Sequence, residues 1–181
     1  MAVNLTELEP PFTDKVTQLL QACRDAGYKM VPTEGIRHPV EQGKLWRQSR
    51  SGAVVQQTIA DLRAEGLDFI ADCIVNAGPA NGEHVTNALP GFSWHQWGEA
   101  IDCVWVMQNG QENWSVDHLE NGKNGYHVYA DLAEQFELTA GGHWQSLKDW
   151  PHVQLSTAGS PQSVHSRQEI NDTMKERFGN D

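Results

Sequence analysis

Basic charge, paired cysteines and long apolar runs are all scarce in this 181-residue sequence, and each scarcity excludes something. Thirteen Lys and Arg face 24 Asp and Glu, a formal net charge of -11, which repels phosphate backbones and removes nucleic acid as a general partner. The three cysteines, Cys23, Cys73 and Cys103, are an odd number with no CxxC pair, so they describe neither a disulfide framework nor a cysteine zinc site. Each lies among apolar neighbours and reads as a buried free thiol. No apolar stretch approaches bilayer length, so no membrane span is expected. Met1 to Phe12 (MAVNLTELEPPF) lacks the basic and apolar regions of a secretory signal, and the expectation is synthesis in the cytoplasm, with any export by another route. Internal repeats, heptads and low-complexity tracts are also missing.

What is present suits a globular domain. Hydrophobic residues at 39% and charged residues at 20% are ordinary for one, and 16 Gly with 8 Pro indicate many turns. The length fits a single core, so a single domain over 1–181 is expected, as a monomer. Val16, Leu19, Leu20 and Cys23 stand at helical spacing within Thr13 to Ala26, and Gly27 ends that helix. Tyr28 to Ile36 alternates as a strand that delivers Arg37. Pro39 opens a helix to Arg50, and Val54 to Ala71 reads as another, interrupted near Gly66. Asn76 to Phe92 is loop chemistry, Ala100 to Val106 a β-rich run, Gly125 to Leu138 a helix, His152 to Leu155 a short strand and Ser166 to Phe178 a polar helix. Helices and strands alternate irregularly, which predicts an α+β class.

Two segments carry chemistry. SWHQWGEAID, from Ser93 to Asp102, sets an imidazole and a carboxylate seven positions apart with Gly98 between them. On a continuous strand those side chains would face opposite ways and lie roughly 23 Å apart. Sharing a metal requires a bend, and Gly98 can supply one. LKDWPHVQL, from Leu147 to Leu155, offers Asp149 and His152 three positions apart, with Pro151 restricting the backbone between them. Two His, one Asp and a spare carboxylate are the inventory of a catalytic zinc site: three ligands, an open position for water and a base beside it. His84, His118, His127 and His165 have no supporting pattern and read as surface or loop residues; Trp94 and Trp97 flank the first ligand and serve either a cleft wall or the core.

VTNALPGFSWHQWGEAID followed by GGHWQSLKDWPHVQ resembles the zinc D-alanyl-D-alanine carboxypeptidase and L-alanyl-D-glutamate endopeptidase family, which cleaves peptidoglycan peptides. The signature SxHxxGxAxD is met by Ser93, His95, Gly98, Ala100 and Asp102, and an acid three residues before a His by Asp149 and His152. A pattern like YRSxEEQxxLY is matched by Arg37, Glu41, Gln42 and Leu45, with Trp46 at the aromatic position. The likeness covers about residues 28–156, with 157–181 as a C-terminal, helical extension. It implies a Hedgehog/DD-peptidase-like fold, a small antiparallel sheet flanked by helices. It also implies one Zn2+ held by His95, Asp102 and His152, with Asp149 as general acid/base and Arg37 on the scissile carbonyl or substrate carboxylate.

Ser93, Gln42, His143 and Trp144 are the further candidates for substrate contact. The endopeptidase branch often shows WGGxW before the second acid, whereas Ala140 stands at the first Trp here and His143 where an acid is common. His143 either touches substrate or is an exposed loop residue. The expected activity is cleavage of peptidoglycan stem peptides, as an L-alanyl-D-glutamate endopeptidase of the endolysin kind, released through a pore or secretion system. D-Ala-D-Ala carboxypeptidase or dipeptidase activity is the alternative within the family, and a non-catalytic zinc module for peptide or protein binding the alternative outside it. Asp149 argues against the last, since a structural zinc has no need of that acid.

Overall fold

The computed structural model describes residues 3–180; the first two residues and the last of the expected 1–181 domain lie outside the described residues. In chain order the elements are α1 (Pro10–Asp25), β1 (Lys29–Glu34), α2 (Pro39–Arg47), α3 (Gly52–Ala64), α4 (Asp68–Asn76), β2 (Ala100–Val106), β3 (Glu112–Asn113), α5 (Gly125–Ala133), β4 (Thr139–Ala140), β5 (His152–Gln154) and α6 (Arg167–Phe178). The class is α+β, and every strand pairing is antiparallel. No helix among the described residues is long and apolar enough to cross a membrane. The residues fall into two compact units, one running up to Ile36 and resuming over Trp97–Thr157, the other comprising Arg37–Gln96 and the stretch from Ala158 onward.

The first unit is built on the sheet, whose order is β1-β2-β5-β4 with β3 also on β2. Pro32 lacks the N–H a central strand needs, and it is accommodated because β1 is an edge, with an irregular register between Pro32 and Glu34. Phe12, Val16, Leu19, Leu20 and Cys23 of α1 are buried, an apolar stripe at the helical period. They share one core with Met30, Ile101, Cys103 and Trp105 of the sheet and with Tyr126 and Tyr129 of α5. Burial pushes the Cys23 thiol up to about 12, so this cysteine is packing rather than a nucleophile. The expected helix to Leu138 stops early: α5 gives way to a short 3-10 turn over Glu134–Phe136, and the Leu138 N–H returns to the Ala133 carbonyl (3.0 Å). The uninterpreted stretch before α5 is pinned by buried Asn124, which donates to the carbonyls of Ser115 (2.9 Å) and His118 (2.8 Å) while its oxygen caps the helix.

The second unit is helical. The interruption expected near Gly66 divides the stretch from Val54 to Ala71 into two helices, because α3 closes with the Leu67 N–H on the Leu62 carbonyl (2.9 Å) and α4 begins at Asp68. The first residue before α4, Leu67, has no side chain able to cap it, and the Asn171 Oδ1 of α6 accepts the Ile70 N–H (3.3 Å) in its place. The C-terminal helix thus has a structural task. It starts with a reciprocal capping box between Ser166 and Glu169 and buries Ile170, Asn171 and Met174. The 76–92 stretch is irregular and anchored: Arg50 stacks on Trp46 and donates to the Thr86 carbonyl (3.1 Å) and Asn87 Oδ1 (3.2 Å).

Candidate active site

His95 sits on a short 3-10 helix, Trp94–Trp97. That turn is fastened at its start, where the Ser93 N–H donates to Gln96 Oε1 (3.1 Å) and the Gln96 N–H to the Ser93 carbonyl (3.1 Å). Trp94 Nε1 donates to the Ala158 carbonyl (2.8 Å), so this indole is an anchor and is buried, as Trp97 is. Gly98 then takes φ +73, a left-handed conformation that side chains disfavour, and its carbonyl accepts the Glu9 N–H (3.0 Å). The bend anticipated from the sequence is therefore present, and the chain leaves it directly into β2.

Within the sheet, Asp102 of β2 stands opposite His152 of β5. The pairing is extended by the Cys103 N–H on the Pro151 carbonyl (3.0 Å) and the Leu155 N–H on the Glu99 carbonyl (2.9 Å). His152 Nδ1 lies 2.9 Å from Asp102 Oδ1, and its Nε2 lies 3.1 Å from Gln154 Oε1. Ligand atoms of His95, Asp102 and His152 all fall within 4.8 Å of one another. Burial pulls the His152 imidazole down, but the hydrogen bond and charge of Asp102, the charge of Asp149 and the Gln154 contact outweigh it, and its pKa rises above the ordinary 6.5. In the metal-free chain the charged pair therefore adds stability that is full below the ordinary imidazole pKa and lost as pH rises through the raised one. A divalent cation would take the place of that proton. Two imidazoles and one carboxylate, largely withdrawn from solvent, are a donor set suited to zinc.

Asp149 is exposed, at the end of a tightly folded loop. Its N–H donates to the Gly141 carbonyl (3.1 Å), and its own carbonyl accepts the His152 N–H (3.2 Å), which ties the acid to the start of β5. Gly141 is necessary here, since a Cβ on it would lie 2.4 Å from the Asp149 carbonyl oxygen. Gly141→Ala is accordingly expected to cost about 1–3 kcal/mol, as overpacked sites do, measured as a lower denaturant midpoint. A wild-type midpoint would show that the loop moves aside freely. Trp150 stacks on His127 with ring centroids 4.3 Å apart, and Lys148 Nζ donates to the Gly142 carbonyl (2.9 Å). Trp144 lies against the His152 ring, 5.3 Å between centroids.

Arg37 is half-buried, and its N–H donates to the His95 carbonyl (3.3 Å). Its Nη1 donates to Gln42 Oε1 (2.8 Å), which also accepts from Gln96 Nε2 (3.3 Å), while Gln42 Nε2 donates to the Ala88 carbonyl (2.8 Å). Gln42 and Gln96 are both 0% exposed, so the amide expected to touch substrate instead holds the arginine. His143 is exposed, with Nδ1 3.0 Å from Glu134 and Nε2 3.2 Å from Asp131. Ser93 is half-buried at the head of the 3-10 turn. Gln96 and Gln154 were not anticipated from the sequence, although each lies within three residues of a candidate ligand, His95 or His152.

A sequence profile of the VanY family, described as D-alanyl-D-alanine carboxypeptidase, matches residues 5–144. The chain belongs to the VanY family. The match includes Arg37, His95 and Asp102 and ends before Asp149 and His152, the latter brought opposite Asp102 by the β2–β5 pairing. The chain is also similar to the peptidoglycan L-alanyl-D-glutamate endopeptidase CwlK of Bacillus subtilis (strain 168), 26% identical over 152 residues, 83% of this chain and 74% of that protein. Its fold is shared with the crystal structure of the L-Ala D-Glu endopeptidase ChiX of Serratia marcescens, at a TM-score of 0.52 and 20% identity, covering 84% of each chain. The α+β architecture is thus that of the Hedgehog/DD-peptidase group, and this VanY-family chain is a peptidase.

Proposed function

We propose that the chain is a zinc-dependent peptidoglycan hydrolase that cuts stem peptides at the L-alanyl-D-glutamate bond. The observation that carries this is the convergence of His95, Asp102 and His152 within 4.8 Å, beside the loop that bears Asp149. The endopeptidase relative supports the choice of bond.

In this reading His95, Asp102 and His152 hold one zinc ion. When bound, zinc supplies a Lewis acid that polarises the scissile carbonyl and brings the pKa of water toward neutrality. Asp149, exposed and tethered next to His152, accepts the proton of the attacking water and delivers it to the leaving amine nitrogen as the C–N bond breaks. Arg37, held from behind by Gln42, places positive charge where the carbonyl oxygen becomes an anion. Trp144 would give substrate an apolar surface next to His152.

Metal analysis together with the masses released from a defined muropeptide tests both parts. One zinc per chain, with L-alanine left on the muramyl side and a new amino terminus at D-glutamate, is expected. Release of free D-alanine would instead establish the carboxypeptidase activity for which the family is named. Stoichiometric zinc with no product from any stem peptide would make the chain a non-catalytic zinc module and defeat the proposal.

A further inference from the structure

We infer that His127 is a positioning residue: it seats Trp150 and so fixes the loop that presents Asp149. The inference rests on the reading of Asp149 as acid/base, and its geometry lies wholly within the sheet-bearing unit. His127 stands in the first turn of α5, where its N–H and that of Tyr126 are capped by Asn124 Oδ1 (3.4 and 2.9 Å). The loop from Trp144 to Asp149 has no helix or strand of its own, and one acceptor closes it: the Gly141 carbonyl takes the N–H of both Trp144 (3.2 Å) and Asp149 (3.1 Å).

One side of α5 grips that loop at each end. His127 and Asp131 are four residues apart and share a helix face. Asp131, with Glu134 beyond it, meets His143 just before the loop (3.2 and 3.0 Å), and His127 meets Trp150 just after it, the rings 4.3 Å apart and inclined by 31°. Trp150 also packs against the main core and against Gly142, where a Cβ would lie 2.3 Å from the indole. Lys148 Nζ stands 5.2 Å from the centre of the same ring while it donates to the Gly142 carbonyl (2.9 Å). His127 itself is exposed, so its ring can be removed without opening the core. Trp150 follows Asp149 directly in the chain, and a displaced indole would carry the carboxylate with it. Catalysis is sensitive on that scale, since a misplacement of about 1 Å costs up to about 10²-fold in rate.

Two measurements test this, the first without substrate or metal. In the metal-free protein, His127→Ala should speed amide hydrogen exchange at Asp149 about tenfold. The Tyr28 N–H, bonded to the Cys23 carbonyl (2.8 Å) in the same unit, should exchange as before. His127→Phe, which keeps a ring to stack, should match wild type at both amides. Unchanged exchange at Asp149 in His127→Ala, or equal acceleration at Tyr28, would reduce His127 to ordinary surface packing. On a stem peptide, His127→Ala should lower kcat about 10–100-fold with KM and zinc content near wild type, and His127→Phe should recover the rate. In the Asp149→Asn background the same substitution should cost less than about twofold, because the group it positions is gone. A full further loss there would overturn the inference. Asp149→Asn turning over at the wild-type rate would refute the acid/base reading and the catalytic half of the inference with it, while the exchange result would still decide whether the stack holds the loop.

Discussion

Asp149→Asn should lower turnover on a stem peptide about 10²–10⁴-fold with zinc content unchanged, the range in which positioned acids and bases act. The amide keeps the size of the carboxylate and leaves the two backbone bonds of residue 149, to Gly141 and from His152, untouched. What it removes is the capacity to take a proton and return it. The variant should therefore retain substrate affinity and lose kcat. Since the charge of Asp149 helps raise the His152 pKa, the variant should also shift that histidine downward, a change visible by NMR in the metal-free protein. If Asp149→Asn turned over at the wild-type rate, the base would have to be sought elsewhere.

The second large loss is expected at Arg37. Arg37→Met should reduce kcat about 10²–10³-fold, as removal of a single oxyanion-stabilising group does, with KM and metal content little altered. The buried pair behind it makes the substitution clean: Gln42 keeps its bond to the Ala88 carbonyl and continues to accept from Gln96, so the 0% exposed amides retain partners when the guanidinium goes. Arg37→Lys should recover only part of the rate, because an ammonium cannot donate to Gln42 and to substrate with the same planar fork. A rise in KM with kcat intact would instead assign Arg37 to uniform binding of the substrate carboxylate.

The parts of the site written into local sequence were the readable ones. His95, Gly98 and Asp102 occupy a ten-residue window, and the demand for a bend between them follows from strand geometry alone; the φ of +73 at Gly98 is that bend. Periodicity likewise located the buried face of α1 and the break near Gly66. Missed features share one property, that their meaning depends on a partner set by the fold. Gln154 looks like any polar strand residue until the Ser156 carbonyl orients it and β2 brings Asp102 across from His152. Gln42 carried a family expectation of substrate contact, and only burial shows that its amide is spent on Arg37, Gln96 and Ala88. Asn171 lies in a segment that reads as merely polar, and its role emerges 101 positions away at the Ile70 N–H.

That last bond has a consequence for how the helical unit comes together on the ribosome. The start of α4 is made early and stays incomplete, since Leu67 cannot cap it and the buried Ile70 N–H has to wait for Asn171 to emerge. Until then the apolar face that Ile170 and Met174 will cover is open to water. The helical unit therefore matures only once α6 has been made, and nascent chains halted before α6 would be the forms that chaperones hold or proteases remove.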